Sequence, residues 1–486
     1  MIDQAYLLDD EEIRNFIRNG YVSVHTDLPA IHEEICRETE AIFEREGDPR
    51  NHILQKVPGL YQVFAHPTVR GILTSLLGPN YVMHPHRHAH VKRPGQKGGT
   101  WHQDGRSRKF TIKDHGWLFE WRRHHCFRSV WAWYYPQDVA EDMGPTAVIP
   151  RMQYYDLESM RHYNNVYSDP GIGAPLCGKA GTVTIGHYHQ WHSSWGTNHS
   201  NKNRYMIKFL LSRTEEPQRP SWNANGSTSA DGEAEQSTEG ASTPGQQAVW
   251  AHIAYWLSGR NGGQSRSGSG ETAGTEDFGR AQPSADIPQL IGTLRDSKAD
   301  ARLHAAYALG AIGEAAVSSL IQELRNTAEP NDTTDEPILS NAAYALSAIG
   351  DAAVPALISV LSDEAAWWVR ASVADTLGDI GKPAGDAVPA LIRALEDESE
   401  WVRRNSVNAL GTIGEGMDAL IVALNDAHPL VRSSAVSALV KTYRGSDSGG
   451  NAAARALSEV IYNDEYAIIR EYAIAALEQI DPRPGN

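Results

Sequence analysis

Small and apolar residues recur in blocks along the C-terminal part of the chain. Ala306-Tyr307-Ala308-Leu309-Gly310-Ala311-Ile312-Gly313 returns at 343–350, 374–381 and 407–414, and more weakly at 436–443 and 473–480. Successive blocks start 37, 31, 33, 29 and 37 residues apart. Between them lies an Asp/Asn turn, then an apolar residue and an arginine: Arg302, Arg370, Arg403, Arg432 and Arg470. A helical pair with Ala and Gly at its contacts cannot close its own core and must stack on its neighbours. Residues 286–482 therefore predict an all-α repeat solenoid. The recurring arginine is expected to be a structural bond between repeats.

The N-terminal part has a strand pattern instead. Gly181–Gly186 and Tyr205–Leu211 read as strands, and a hairpin of the two would put His192 and Arg204 on one wall of one cavity. His84, His86, His88 and His90 alternate, so a regular strand would turn all four to one face. That face is expected to line a cavity or the exterior, with a second metal cluster as the rarer reading. His187 and His189 alternate in the same way just before His192, so a slip of two residues would exchange His189 for it. The aromatic, basic stretch from Trp117 to Trp133, with His124 and His125, reads as pocket lining or wall.

Between these parts, residues 214–285 collapse into Gly, Ser, Thr, Glu and Gln, too polar to offset chain entropy by burial. One island, near 248–258, has Val249, Ile253 and Trp256 at helical spacing, with Gly259 as a stop. Two exposed tryptophans would be sticky, so this helix is expected to dock on the N-terminal domain (1–213), with partner binding as the alternative.

The candidate chemistry is concentrated in Trp101-His102-Gln103-Asp104-Gly105, taken with Trp191-His192 and Arg204. Two histidines and one carboxylate can hold Fe(II) on one side and leave three positions open. The His102-x-Asp104 spacing suits a strand end, with Gln103 turned away. An arginine suits a buried carboxylate of a co-substrate, because its fork pairs bidentately and it stays charged. Arg204 lies twelve residues after His192, with Arg213 next in line.

Four separate motifs resemble the phytanoyl-CoA dioxygenase family. They are Leu8–Val22, His66-Pro67 through Leu77-Gly78-Pro79 leading into His-x-Asp, Asp142–Pro150, and the His192–Arg204 region. The resemblance covers roughly residues 5–213. It implies a double-stranded β-helix (jelly roll) with flanking helices, iron, and 2-oxoglutarate cleaved to succinate and CO2 as a substrate C–H bond is hydroxylated. By position it makes His102, Asp104 and His192 the iron ligands and Arg204 the anchor of 2-oxoglutarate. Thr146 and Ser194 follow as secondary contacts, and ascorbate as a candidate reductant. The chain departs from the family in carrying one extra residue before Arg204, and Arg151-Met152-Gln153 where Gly-Ser-His is common. The retained Asp104 favours hydroxylation over halogenation. The C-terminal blocks resemble HEAT repeats of the phycobilisome-lyase type.

The charge is split along the chain. Residues 1–213 hold 25 Lys+Arg against 22 Asp+Glu, and the remainder 19 against 38. An acidic second part argues against nucleic acid, whose phosphates need a basic footprint. Cys36, Cys126 and Cys177 have no pairing motif, which suits a reducing compartment. No signal segment and no apolar run of membrane-spanning length is read, so a cytoplasmic protein without membrane contact is expected. Two functions compete: a dioxygenase acting on a small or carrier-bound substrate, with repeats that recruit a protein partner, or a repeat scaffold with a vestigial oxygenase domain.

Overall fold

The computed structural model describes residues 2–104, 125–155, 173–224, 242–260, 286–327, 340–443 and 450–480. Contacts divide the chain into two units. The first holds residues 1–104, 127–214 and 220–228; the second holds 105–126, 215–219 and 229–486.

In the first unit, Asp9 accepts from the backbone N–H groups of Glu11 and Glu12, while its own N–H donates to Glu12. This reciprocal cap starts α1 (Asp10–Asn19), and Gly20, at φ +80°, ends it. After β1 (Tyr21–His25) come α2 (Pro29–Arg45), α3 (Ile53–Lys56), α4 (Leu60–Ala65) and α5 (Pro67–Leu77). The remaining strands are β2 (Val82–Lys92), β3 (Ser129–Tyr135), β4 (Thr146–Val148), β5 (Ala174–Pro175), β6 (Thr182–His187), β7 (His192–Ser194) and β8 (Arg204–Ser212). One antiparallel sheet runs β1-β6-β3-β8-β2 and a second runs β5-β4-β7. This is the double-stranded β-helix.

β3 lies at the centre of the larger sheet, and all seven of its residues are buried. One face is covered by helices: Phe64 of α4 packs on Phe209, and His32 of α2 meets the Tyr134 hydroxyl at 2.8 Å. The other face, Trp131, Trp133 and Tyr135 with Met206 and Leu210, packs with Val148 of the smaller sheet. Gly186 makes room there, because a Cβ on it would lie 2.3 Å from the Trp133 ring.

The expected hairpin of 181–186 with 205–211 does not form. β6 and β8 both pair with β3, which separates them, and His192 lies on the other sheet. A strand as apolar as β3 gains most from the central position, where both of its faces are covered.

The second unit is helical. The six blocks lie in helices Ala299–Ile312, Asn341–Ile349, Trp367–Ile380, Glu400–Ile413, Pro429–Tyr443 and Ala467–Ile480. Their small residues let the backbones approach: a Cβ on Gly411 would lie 2.7 Å from Ala438 Cβ, and one on Gly310 the same distance from Ala348 Cβ. Arg370, Arg403 and Arg432 each fork onto an aspartate of the following repeat, Asp397, Asp426 and Asp464. Each also donates through Nη1 to carbonyls of its own preceding turn. Arg302 and Arg470 make the same carbonyl bonds. The arginine is thus a bond between and within repeats.

Three expectations need correction. The island helix α6 (Pro244–Leu257) packs within the second unit, against the first repeat helix: His252 meets Tyr307 at 5.0 Å, and Thr243 bonds Asp300. The Ala-rich first repeat leaves a close-approach surface for its apolar stripe. His125 is no part of the barrel wall, since it stacks on Tyr344 at 3.9 Å and bonds the Tyr307 hydroxyl. Residues 105–124, which include Trp117 and His124, lie outside the described residues. Finally, Asn341–Asp363 is apolar and long enough to cross a membrane by length and composition, and half of its most apolar 18-residue window is buried. It comprises two repeat helices that meet at Gly350, φ +79°.

Candidate metal centre

His102 and His192 face each other through a single antiparallel bridge rather than along a strand, each N–H bonding the other's carbonyl at 3.0 Å. A directly opposed pair puts both side chains on one side, and the rings lie 4.4 Å apart. Gln103 turns away, as expected, and donates to the His189 carbonyl at 2.6 Å. Asp104 returns to the histidine side, with Oδ2 3.4 Å from His192 Nε2. Ligand atoms of His102, Asp104 and His192 lie within 4.8 Å of one another, the one such group among the described residues.

The protonation of this trio suits a cation. His102 Nδ1 sits 3.0 Å from the Thr100 carbonyl and His192 Nδ1 2.8 Å from that of Gln190. A carbonyl beside Nδ1 holds the proton there and leaves the Nε2 lone pair free. Burial pushes His192 down to about 3, so its imidazole is neutral. Burial alone would raise Asp104, but the charge of Lys208, with the two imidazoles, holds it well below the usual carboxylate range. Two imidazoles and one carboxylate therefore converge, which is the donor set of a divalent transition metal.

Arg204 opens β8 opposite Lys92 of β2 and is 2% exposed. Its Nη2 donates to the Gly144 carbonyl at 2.9 Å and reaches Ser194 Oγ at 3.5 Å. Its Nε and Nη1 find no acceptor among the described residues. A buried guanidinium with half its fork unspent is a site for an anion. Thr146 pairs with Ser194 across β4 and β7, so both expected secondary contacts flank this fork. Gly144, at φ +63°, carries the accepting carbonyl, and a Cβ there would strike Lys92 Nζ. Arg213 is turned elsewhere, donating to the Leu76 carbonyl at 2.9 Å. His189 belongs to no metal-capable group among the described residues.

The register breaks between Met83 and Arg87, but by two residues, so the alternation survives and His86, His88 and His90 stay on the interior side, as expected. Past the break, His88 stands opposite Lys208, His90 opposite Met206 and Lys92 opposite Arg204. His88 and His90 stack at 4.2 Å, and His88 pairs with Asp48 at 3.0 Å. His86 packs edge-on against Trp131 at 5.7 Å, and burial pushes it down to about 3.

Three residues of the site were not anticipated. Lys208 pairs with Asp104 and lies 4.0 Å over the Trp131 ring. Lys92 bonds the Trp195 and Gly196 carbonyls at 2.7 and 2.6 Å, fixing the loop between His192 and Arg204. Trp133 lies 5.5 Å from the His192 ring with its Nε1 unpaired among the described residues. A lysine four residues after Arg204, inside an apolar strand, was the available signal for Lys208.

Comparison with known proteins gives a family for each part. Residues 16–206 match the phytanoyl-CoA dioxygenase (PhyH) family. Residues 354–416 and 388–478 match HEAT repeats, and 338–363 the PBS lyase HEAT-like repeat. No curated protein matches the chain. Among solved structures, it is similar to the non-heme alpha ketoglutarate dependent carbocyclase SnoK from nogalamycin biosynthesis, at 19% identity and a TM-score of 0.34, covering 44% of this chain and 88% of that one. It is also similar to EctD from S. alaskensis with 2-oxoglutarate and 5-hydroxyectoine, at 14% identity, a TM-score of 0.35, and 44% and 80% coverage. AviO1 from Streptomyces viridochromogenes Tue57 gives 14%, 0.32, and 44% and 96%. The chain thus matches the phytanoyl-CoA dioxygenase family model over residues 16–206 and HEAT-repeat models over 354–478.

Proposed function

We propose that the N-terminal unit is a non-haem Fe(II)- and 2-oxoglutarate-dependent dioxygenase that hydroxylates a small or carrier-bound organic substrate. In this reading His102, Asp104 and His192 hold the iron, Arg204 grips the far carboxylate of 2-oxoglutarate, and Thr146 and Ser194 border that carboxylate. The observation that carries it is the coincidence of a converging two-histidine and carboxylate trio with a buried arginine whose Nε and Nη1 are without acceptors among the described residues. When bound, the iron and co-substrate together supply the oxidising power for C–H hydroxylation.

The chain's own residues bind, orient and exclude water. The carbonyls of Thr100 and Gln190 fix both histidine tautomers. Trp133 and Trp131 wall the centre with buried indoles, keeping the chemistry dry. Lys92 pins the loop that carries Ser194 toward the Arg204 fork. The HEAT repeats are read as a module that recruits a protein partner.

His102→Ala and Asp104→Ala should each abolish substrate-dependent succinate formation. Full turnover by either purified variant would sink the ligand assignment. Anaerobic addition of Fe(II) and 2-oxoglutarate to the wild-type chain should produce a weak visible charge-transfer band. A protein that binds neither would favour the scaffold reading instead.

A further inference from the structure

Lys208 is a cation built into the centre, and three observations fix it there. It is 4% exposed, on a strand whose neighbouring positions are apolar. Its ammonium donates to Asp104 Oδ2 and lies 4.0 Å over the Trp131 ring. Trp131 is itself held, with Nε1 on the Tyr188 carbonyl at 3.1 Å and its ring stacked on Tyr188. The oxygen that Lys208 holds is also the one 3.4 Å from His192 Nε2. It is therefore the Asp104 oxygen that faces the ligand set. A divalent ion bound between His192 and that oxygen would share it with an ammonium.

We propose that Lys208 is a positioning residue and the resident counter-cation of the centre. It neutralises Asp104 when no metal is bound and keeps the carboxylate turned toward His192. It also competes with metal for the same oxygen. The proposal rests on His102, Asp104 and His192 being metal ligands.

The sign follows from charge. A buried carboxylate left without a partner is strongly disfavoured, so the metal-free protein gains from Lys208. A divalent ion beside an ammonium is repelled, and a buried site screens that repulsion poorly. Both effects weaken metal binding relative to the three ligands alone. The result is a centre assembled before metal arrives, which holds its metal exchangeably.

The test is titration of the full chain, stripped by chelator, with Co(II) under anaerobic conditions. Calorimetry and the Co(II) ligand-field absorption are both followed. Lys208→Gln removes the charge but keeps an N–H donor for Asp104, and Lys208→Met removes both. Each should bind Co(II) at least about tenfold more tightly than the wild type, as loss of a nearby repelling charge requires, while Lys208→Arg should stay close to the wild type. Equal or weaker binding by Lys208→Gln overturns the proposal, because orientation or packing without charge competition predicts that result. If Lys208→Met does not fold, Lys208→Gln carries the test alone. Asp104→Ala separates the two levels. If it binds Co(II) as the wild type does, the ligand assignment falls. If it loses Co(II) while Lys208→Gln fails to tighten, only the counter-cation falls.

Discussion

Replacing Arg204 by alanine separates a binding role from a structural one, because the two predict opposite patterns. The guanidinium is 2% exposed, forms no ion pair among the described residues, and bonds the Gly144 carbonyl through Nη2 alone at 2.9 Å. Burial lowers its pKa, so the folded protein carries an uncompensated cost of desolvation. Truncation removes that charge-assisted bond, worth about 1.5–3 kcal/mol, and the long Ser194 Oγ contact, but also relieves the desolvation cost, leaving a net change of about 1 kcal/mol. The melting temperature of the co-substrate-free protein should therefore move by no more than about 4 °C, the shift that about 1 kcal/mol produces in a domain of this size.

Binding of 2-oxoglutarate should change far more. Nε and Nη1 are the donors without acceptors among the described residues, and each charge-assisted bond contributes about 1.5–3 kcal/mol. Loss of even one raises the half-saturating concentration roughly 10- to 150-fold. Arg204→Lys should recover part of this, since it keeps the charge without the fork. The assay is an anaerobic titration of the Fe(II) protein with 2-oxoglutarate, followed by visible absorbance, beside thermal melts of the same variants. An unchanged half-saturation would refute the assignment. So would a melting temperature lowered by about 10 °C or more, which would make Arg204 a structural residue.

Two predictions concern the second unit. Arg403→Met breaks a forked pair with Asp426 whose partners are only 15% and 12% exposed, and should cost about 2–4 kcal/mol in urea unfolding; a loss below about 0.5 kcal/mol would make the inter-repeat bond ornamental. His252 is pushed down to about 4 by burial, below the ordinary value of about 6.5. The folded state binds its proton more weakly than the unfolded chain does. Stability is therefore full above pH 6.5, falls as the pH drops from 6.5 to 4, and levels off below. The loss at pH 5 should be about 1–2 kcal/mol, and His252→Asn should abolish it. An identical difference between pH 7 and pH 5 in wild type and variant would refute this.

The repeats were legible because their signal is covariant and local. Each block carries its own small residues, and five of the six carry their own arginine, so one correct reading is checked repeatedly along the chain. The barrel's strand order was not legible from the same sequence. The runs 181–186 and 205–211 both read as strands, and both are strands, but adjacency in sequence suggested a hairpin. What separates them is β3, whose run Ser129-Val-Trp-Ala-Trp-Tyr-Tyr is apolar on both faces and therefore claims the middle of the sheet. That fact is readable only once the strand is weighed against all the others. The histidine ladder was legible for the opposite reason: the irregularity at Met83–Arg87 spans two residues, which keeps the alternation in phase and leaves His86, His88 and His90 facing inward.

The site was legible to the extent that its chemistry depends on residue type. His-x-Asp, a distant histidine and an arginine are unusual enough to stand out, and the structure brings the first three within 4.8 Å and leaves the fourth with donors to spare. What sequence reasoning passed over were residues that act through a partner. Residue type alone does not single out Lys208 or Lys92, since most lysines are solvated. The register supplies what was missing. Arg204 and Lys208 are separated by four residues on one strand, so both face inward, and Lys92 stands opposite the first. Three cations then share an interior in which Asp104 is the nearby carboxylate. A centre that is to hold a dianion such as 2-oxoglutarate needs that excess of positive charge. In the proposed function the same excess would oppose the metal, which would make co-substrate affinity and metal affinity two ends of one electrostatic balance.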